Sequence, residues 1–252
     1  MKPRAFVAAA AKMGAAIILT QAAVAGAAEI RVLCSTGMSS AMSVLVPEFE
    51  RASGHKLSIA YDTANLLMGR IKSGETADLA ILTGPAIDEL AKQGRVGGRA
   101  DLARSGVGIS VRSGAPKPDI GSVEAFKRAL LNAKSVAYTT TGASGVYFAG
   151  LIERLGIAEQ VKAKAKLRPG GAVGELVARG EAEMAVQQIP ELMTVAGTQL
   201  VGPLPPEIQY VTVFSAGVFT GAKEARAAQS LVKFLTTPAA ARVLKTKGME
   251  PG

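Results

Sequence analysis

The chain has 252 residues, 48% hydrophobic and 19% charged, so it is long enough to bury a sizeable core and too apolar to be disordered. Aromatic residues make up only 4% and Trp is absent, which leaves Ala, Val, Leu and Ile to build that core. The formal charge is +9, yet the sequence holds no recognition-helix or zinc-finger spacing, and one Cys with one His cannot form a Cys/His metal set.

Residues 1–27 read as an export signal. Lys2, Arg4 and Lys12 open it, residues 13–19 are apolar, and Ala23-Val24-Ala25 or Ala25-Gly26-Ala27 fits the small-residue cleavage pattern. The apolar run is too short to anchor in a bilayer, and no Cys follows it to carry a lipid. Without Lys2, Arg4 and Lys12 the net charge falls to +6. An exported chain does not meet nucleic acid, so that field is read either as attraction for an anionic ligand or as nothing specific. Cys34, in an apolar run, reads as a buried small hydrophobe with no disulfide partner.

The mature part alternates strands with helices. Residues 30–34 read as a strand, and Met42, Leu45, Val46 and Phe49 make a helical stripe ended by Gly54, with Pro47 inside it. Leu57, Ile59 and Tyr61 alternate as a strand, and Leu66, Leu67 and Ile71 suggest a helix closing at Gly74. Residues 78–82 are a strand covered on both faces, followed by a helix through Ile87 and Leu90 that ends at Gly94. This order argues for a parallel sheet with right-handed crossovers.

The pattern then restarts. A strand spans 107–111, a Pro/Gly-rich loop follows, and Ser122 caps a helix through Val123, Phe126 and Leu130. A strand at 135–138 and a helix through Val146, Phe148, Leu151 and Leu155 come next. Another helix, through Val173, Leu176 and Val177, leads into a strand at 184–186. After Leu204-Pro205-Pro206, residues 208–219 read as a long strand, and two helices close the chain near 223–235 and 239–247. The fold class is therefore α/β with two lobes, each a mainly parallel sheet flanked by helices. Lobe I would be 28–104 plus 210–252 and lobe II 105–209, with a hinge at Ala103-Arg104-Ser105 and Ile208-Gln209-Tyr210.

Ligands in open α/β sheets bind beyond the carboxyl ends of the strands, and four small, polar turns stand there. They are Ser35-Thr36-Gly37-Met38-Ser39-Ser40, Asp62-Thr63-Ala64-Asn65, Thr139 to Gly145 (with Thr141, Ser144 and Gly145), and Pro169-Gly170-Gly171. Each precedes a helix, whose first N–H groups and positive dipole end suit an anion. The bland alternative for each turn is ordinary capping. Arg70 and Arg168 lie near two turns and read as solvated surface charges.

Several segments resemble the molybdate-binding branch of the periplasmic substrate-binding proteins of ABC importers. They are Ser39-Ser40-Ala41-Met42 with Phe49-Glu50, residues 71–79, Ser144-Gly145-Val146-Tyr147 with Leu155-Gly156, residues 177–183, and the ending from Lys233 to Lys247-Gly248. The resemblance covers essentially the whole mature chain. It implies the type II periplasmic binding fold, a ligand in the interlobe cleft, hinge closure, an ABC permease as partner, a monomer by default and no cofactor. Family ligand serines fall on Gly37 and Ala64, backbone donors on Ser144 and on Gly170 or Gly171, and the ligand tyrosine on Gln188. Three side-chain ligands are thus replaced, which points to a larger or less symmetric anion such as a small organic carboxylate. A periplasmic sensor feeding a receptor is the alternative role.

Enzyme readings have little to stand on. His55 is the sole His, and it follows Gly54 in a turn. Ser144 lacks the G-x-S-x-G elbow, and Gly142-Ala143-Ser144-Gly145 lacks the Walker A Lys. Asp62, Asp78 and Glu191 could supply carboxylates, with Asp78 better read as a structural cap. The expectation is binding without catalysis.

Overall fold

The computed structural model describes residues 26–252, so almost all of the expected signal lies outside the described residues. Among the described residues no helix is long and apolar enough to cross a membrane.

The first half begins β1 (Glu29–Ser35), α1 (Ser39–Ser53), β2 (Lys56–Asp62), α2 (Ala64–Lys72), β3 (Leu79–Thr83) and α3 (Gly84–Lys92). β1 pairs in parallel with both β2 and β3, as right-handed β-α-β units require. Gly54 ends α1 with φ 75°, its N–H bonded to Glu50 O, a conformation that suits glycine. Then comes β4 (Ala100–Arg112), the longest strand. Residues up to Gly106 pair with β9 (Val211–Val218), while those from Val107 onward pair with β7 (Met184–Gln188) and β8 (Thr198–Pro203). One strand therefore belongs to two sheets, and its change of partners falls between Gly106 and Val107.

The second half adds α4 (Val123–Asn132), β5 (Val136–Thr139), α5 (Ala143–Arg154), α6 (Ala158–Lys162), β6 (Ala165–Arg168), α7 (Gly174–Ala178) and α8 (Ile189–Leu192). The chain returns through β9 to the first sheet and closes with α9 (Ala225–Leu235), α10 (Pro238–Thr246) and β10 (Glu250–Pro251). Strand order is β2-β1-β3-β9-β4-β7-β5-β6. Each sheet has a parallel part, but β9 runs antiparallel to β3 and β4, and β4 antiparallel to β7. Both sheets are therefore mixed, because the two strands that carry the chain between halves run against their neighbours.

Four buried apolar clusters, one on each face of each sheet, hold the halves, and none spans both. Phe126, Phe148 and Phe214 are among the largest fully buried side chains, so a few aromatics anchor an otherwise aliphatic core. Cys34 is buried in the first-half cluster that holds Phe214, and burial pushes its thiol well above the usual range, as expected of an inert residue.

Three strands escape the sequence pattern. β6 and β8 are partly exposed along their length and show no clean alternation. The first half of β4 is broken by a register shift between Asp101 and Ala103, which scrambles its period of two. Asp78 is structural: its Oδ2 accepts from Arg31 N (2.8 Å) and its Oδ1 from Glu224 N (2.9 Å). His55, in the turn after Gly54, is half-buried and accepts the Ala28 N–H at Nδ1 (3.1 Å).

Candidate functional site

Strand ends place all four polar turns around one cavity between the halves. It is narrow, about 20 Å³, and is lined by Ser35, Thr36, Gly37, Thr63, Ala64 and Phe214 from the first half. Thr139, Gly142, Ala143, Gly171, Gln187, Gln188 and Glu191 line it from the second. A wider, open chamber of about 280 Å³ lies on the other side of Ala64 and Ala143, walled by Asn65, Pro85, Val146, Tyr147 and Tyr210. The rings of Tyr147 and Tyr210 stack at 4.7 Å, and the Tyr147 hydroxyl donates to Ile208 O (2.7 Å) at the second crossing. A larger groove of about 420 Å³, around Lys117 and Arg128, is confined to the second half.

The halves are closed over the inner cavity. Thr63 Oγ1 and Thr141 Oγ1 share a hydrogen bond across the gap (2.9 Å), and Asn65 Nδ2 donates to Thr141 O (2.9 Å). Thr141 also donates to Pro169 O. Gly170 packs close beneath Thr63, where an added Cβ would lie 3.0 Å from Thr63 Cγ2.

Of the helices that follow the four turns, α1, α2 and α5 are long enough to present a real N-terminal dipole, α1 being entered through the 3-10 turn at Thr36–Met38. Thr63 caps α2 by accepting from Leu66 N, while α5 starts from Gly142 with no side-chain cap, so its first-turn amides stay available. Thr139 sits beneath them, 2% exposed, and its Oγ1 has no partner. A buried hydroxyl without a partner costs about 1–3 kcal/mol, so this one is a position where a ligand oxygen is expected. The fourth turn precedes a helix of only five residues and contributes backbone alone.

The fit around Thr139 depends on Gly145, where an added Cβ would lie 1.8 Å from Thr139 O. Gly145→Ala is therefore expected to cost about 3 kcal/mol or more, because neither the strand nor the helix can yield without unpacking its neighbours. Denaturant unfolding of the variant checks this, and an unchanged midpoint would contradict it.

Of the fourteen residues singled out from sequence, Ser35, Thr36, Gly37, Thr63, Ala64, Gly171 and Gln188 line the inner cavity. Asn65 and Thr141 form the interlobe bonds described above. The others stand elsewhere. Met38 turns into the first core, Ser39 donates to Thr36 O (2.8 Å), Ser144 and Gly145 pack inside the first turn of α5, and Gly170 supports Thr63. Gln188 borders the cavity, but its amide head is committed to the crossing strands. Its oxygen accepts from Thr212 Oγ1 (2.6 Å) and its nitrogen donates to Ser105 Oγ (2.7 Å). Arg70 is held bidentately by Glu75 (2.6 and 2.7 Å) and Arg168 by Glu175 (3.0 Å), so neither reaches the cavity.

Sequence reasoning missed Gln187 and Phe214 as wall residues, carried Thr139 only as the start of its turn, and offered Glu191 only as one of three possible carboxylates. Phe214 explains Gly37: an added Cβ there would lie 2.3 Å from the ring's Cζ. Gln187 bridges Gly171 O, Val173 N and Glu191, donating to Glu191 Oε1 at 3.0 Å. Glu191 is the only charged residue type in the wall. Burial pushes its carboxyl up to about 7, against hydrogen bonds from Thr36, Gln187 and the Gln188 backbone that pull the other way.

The sequence of residues 30–250 matches the family model of bacterial extracellular solute-binding proteins. An aconitate isomerase from Pseudomonas sp is 36% identical over 230 residues, spanning 88% of this chain and 87% of that protein. The molybdate-binding protein ModA of Azotobacter vinelandii is 26% identical over 239 residues, 90% of this chain and 92% of that one. In solved structures, the periplasmic molybdate-binding protein of Azotobacter vinelandii superposes with a TM-score of 0.74 at 16% identity, covering 87% of this chain and 98% of that one. The sulfate-binding protein SubI of Mycobacterium tuberculosis reaches 0.72 at 18%, covering 89% and 87%. These likenesses show the type II periplasmic-binding fold, and the family match says the rest: the chain belongs to the bacterial extracellular solute-binding proteins, as a molybdate-binding-protein-like member.

Proposed function

We propose that the chain, exported to the periplasm and cleaved near residues 25–28, captures a small organic di- or tricarboxylate and presents it to an ABC permease. Residues 28–104 with 210–252 act as one lobe and 105–209 as the other, hinged where β4 and β9 cross. The observation that carries this reading is the composition of the inner cavity. Amides of α2 and α5 and the Thr139 hydroxyl offer donors from both halves with no cation. An aromatic ring stands where a symmetric oxyanion would need another hydroxyl, and a second chamber beyond Ala64 and Ala143 has space for the rest of an organic acid. The isomerase relative, whose name specifies an unsaturated tricarboxylate, supports the same ligand class.

A thermal-shift series with citrate, cis-aconitate, molybdate, sulfate, glucose and leucine tests it. At a hundredfold excess over Kd a ligand adds about 2.7 kcal/mol. That raises the midpoint by roughly 5–10 °C in a chain of this size. Citrate or cis-aconitate is expected to give that shift. A shift confined to molybdate and sulfate, or to the neutral solutes, overturns the ligand class.

The primary reading is capture without turnover. A second reading, that the bound carboxylate is also isomerised, is favoured by the 36% identical isomerase.

A further inference from the structure

We propose that the Glu191 carboxyl exchanges a proton with carbon in the cleft, giving the chain a 1,3-allylic proton-shift activity on small unsaturated carboxylates. This rests on the isomerising reading above and supplies the group and the step that it lacks.

Several independent features of the site support it. Glu191 lies on α8 directly after β7, at the carboxyl end of a strand, where ligands of this architecture sit. No Lys, Arg, His or Asp shares the wall, so nothing there neutralises the carboxylate or competes with it for the proton. Its carboxyl is fixed by Gln187, itself held by Gly171 O and Val173 N, and by Thr36 and the Gln188 N–H, so its position in the wall is set. The Phe214 ring, in the same wall, offers an apolar seat for ligand carbons. Amides at the start of α5 and the unpartnered Thr139 hydroxyl can hold a developing oxyanion. Among the described residues Glu191 has no salt-bridge partner, unlike Glu75 and Glu175. Its proton affinity, near neutral, suits a group that must both take and return a proton at the pH of the periplasm.

The step balances without a cofactor. Ionised Glu191 removes a proton from the saturated carbon beside the ligand's double bond. That C–H electron pair becomes a new C=C bond, and the electrons of the old one pass into the carboxylate on its far carbon. The resulting dienolate oxygen is held by the α5 amides. Protonated Glu191 then gives the proton to that far carbon as the electrons return. The double bond has moved by one carbon, its geometry has been reset, and nothing has been oxidised or reduced.

The test uses the mature chain with cis-aconitate, itaconate and glutaconate in D₂O. Proton NMR follows deuterium entry and isomer formation, and calorimetry measures binding separately. Wild type is expected to exchange at least one of the three at about 10²–10⁴ times the rate of Glu191→Gln, the usual range for a positioned acid–base group. Its rate should rise with pH to a plateau above about pH 7. Glu191→Asp, which keeps the acid but draws it back, should be slowed and keep that pH profile. A mere support for Gln187 would change affinity and leave exchange per bound ligand, and its pH dependence, unmoved. Binding of these acids by wild type with no exchange overturns the inference while the capture reading stands. Equal exchange by Glu191→Gln overturns it as well. If no carboxylate binds at all, the reading beneath falls and takes this one with it.

Discussion

Glu191→Gln is expected to make the folded chain more stable at pH 8 and no more stable at pH 4. The folded state holds the Glu191 proton up to about pH 7, against an ordinary value of 4.5, so the folded chain binds more protons than the unfolded one between those limits. Stability therefore falls as pH rises through that window, by at most 1.36 kcal/mol per pH unit, and the loss is complete above it. The full shift would correspond to about 3 kcal/mol, which partial access of the residue to the cleft reduces to about 2 kcal/mol. Gln keeps the acceptor for Gln187 and has no charge to desolvate. In a chain of this size, 2 kcal/mol is a rise of roughly 4–8 °C in Tm. Calorimetric scans of both proteins from pH 4 to 8 read the difference, from which the surface carboxylates cancel. Parallel curves would mean that Glu191 ionises like an exposed acid. A saturating carboxylate should steepen the wild-type decline, because a second negative charge favours the protonated form.

The second large effect is expected at Gly37, onto which the family resemblance would map a ligand serine. Gly37→Ser drives its Cβ into the Phe214 ring, which would lie 2.3 Å away, and is expected to cost about 3 kcal/mol. Phe214→Ala alone empties a fully buried ring site and should cost about 3–5 kcal/mol. Together the two changes should cost 1–3 kcal/mol less than their sum, since each makes room for or fills in for the other. Denaturant unfolding of the four proteins completes the cycle, and strict additivity would mean that the ring does not dictate Gly37. The double variant also puts a hydroxyl where Phe214 now walls the cavity. Its preference should move toward molybdate and away from organic acids, measured as a ratio of affinities.

Much of the architecture was legible from residue order because local rules decide it. Stripes such as Met42, Leu45 and Phe49 and runs such as residues 78–82 carry their period on their face, and Gly54, Gly74, Gly94 and Gly156 end helices or their turns with positive φ. The strands that were overlooked, β6 and β8, are partly exposed and take their conformation from neighbours, so their own pattern has little to report. Four polar turns before helices could be read as anion-seeking for the same local reason: a helix start has free amides wherever it occurs.

Which atoms look into the shared cavity was decided only by packing between distant segments. Gly37 and Met38 are neighbours in one short 3-10 turn, yet one lies in the cleft wall and the other in the core, because Phe214, far along the chain, occupies the space between. Gln188 stands at the family's tyrosine position and borders the cavity, yet β4 and β9 claim its amide. Glu191 is unremarkable as a letter after a proline. It becomes an acid with an unusual proton only when the fold buries it, a desolvation that no local pattern encodes.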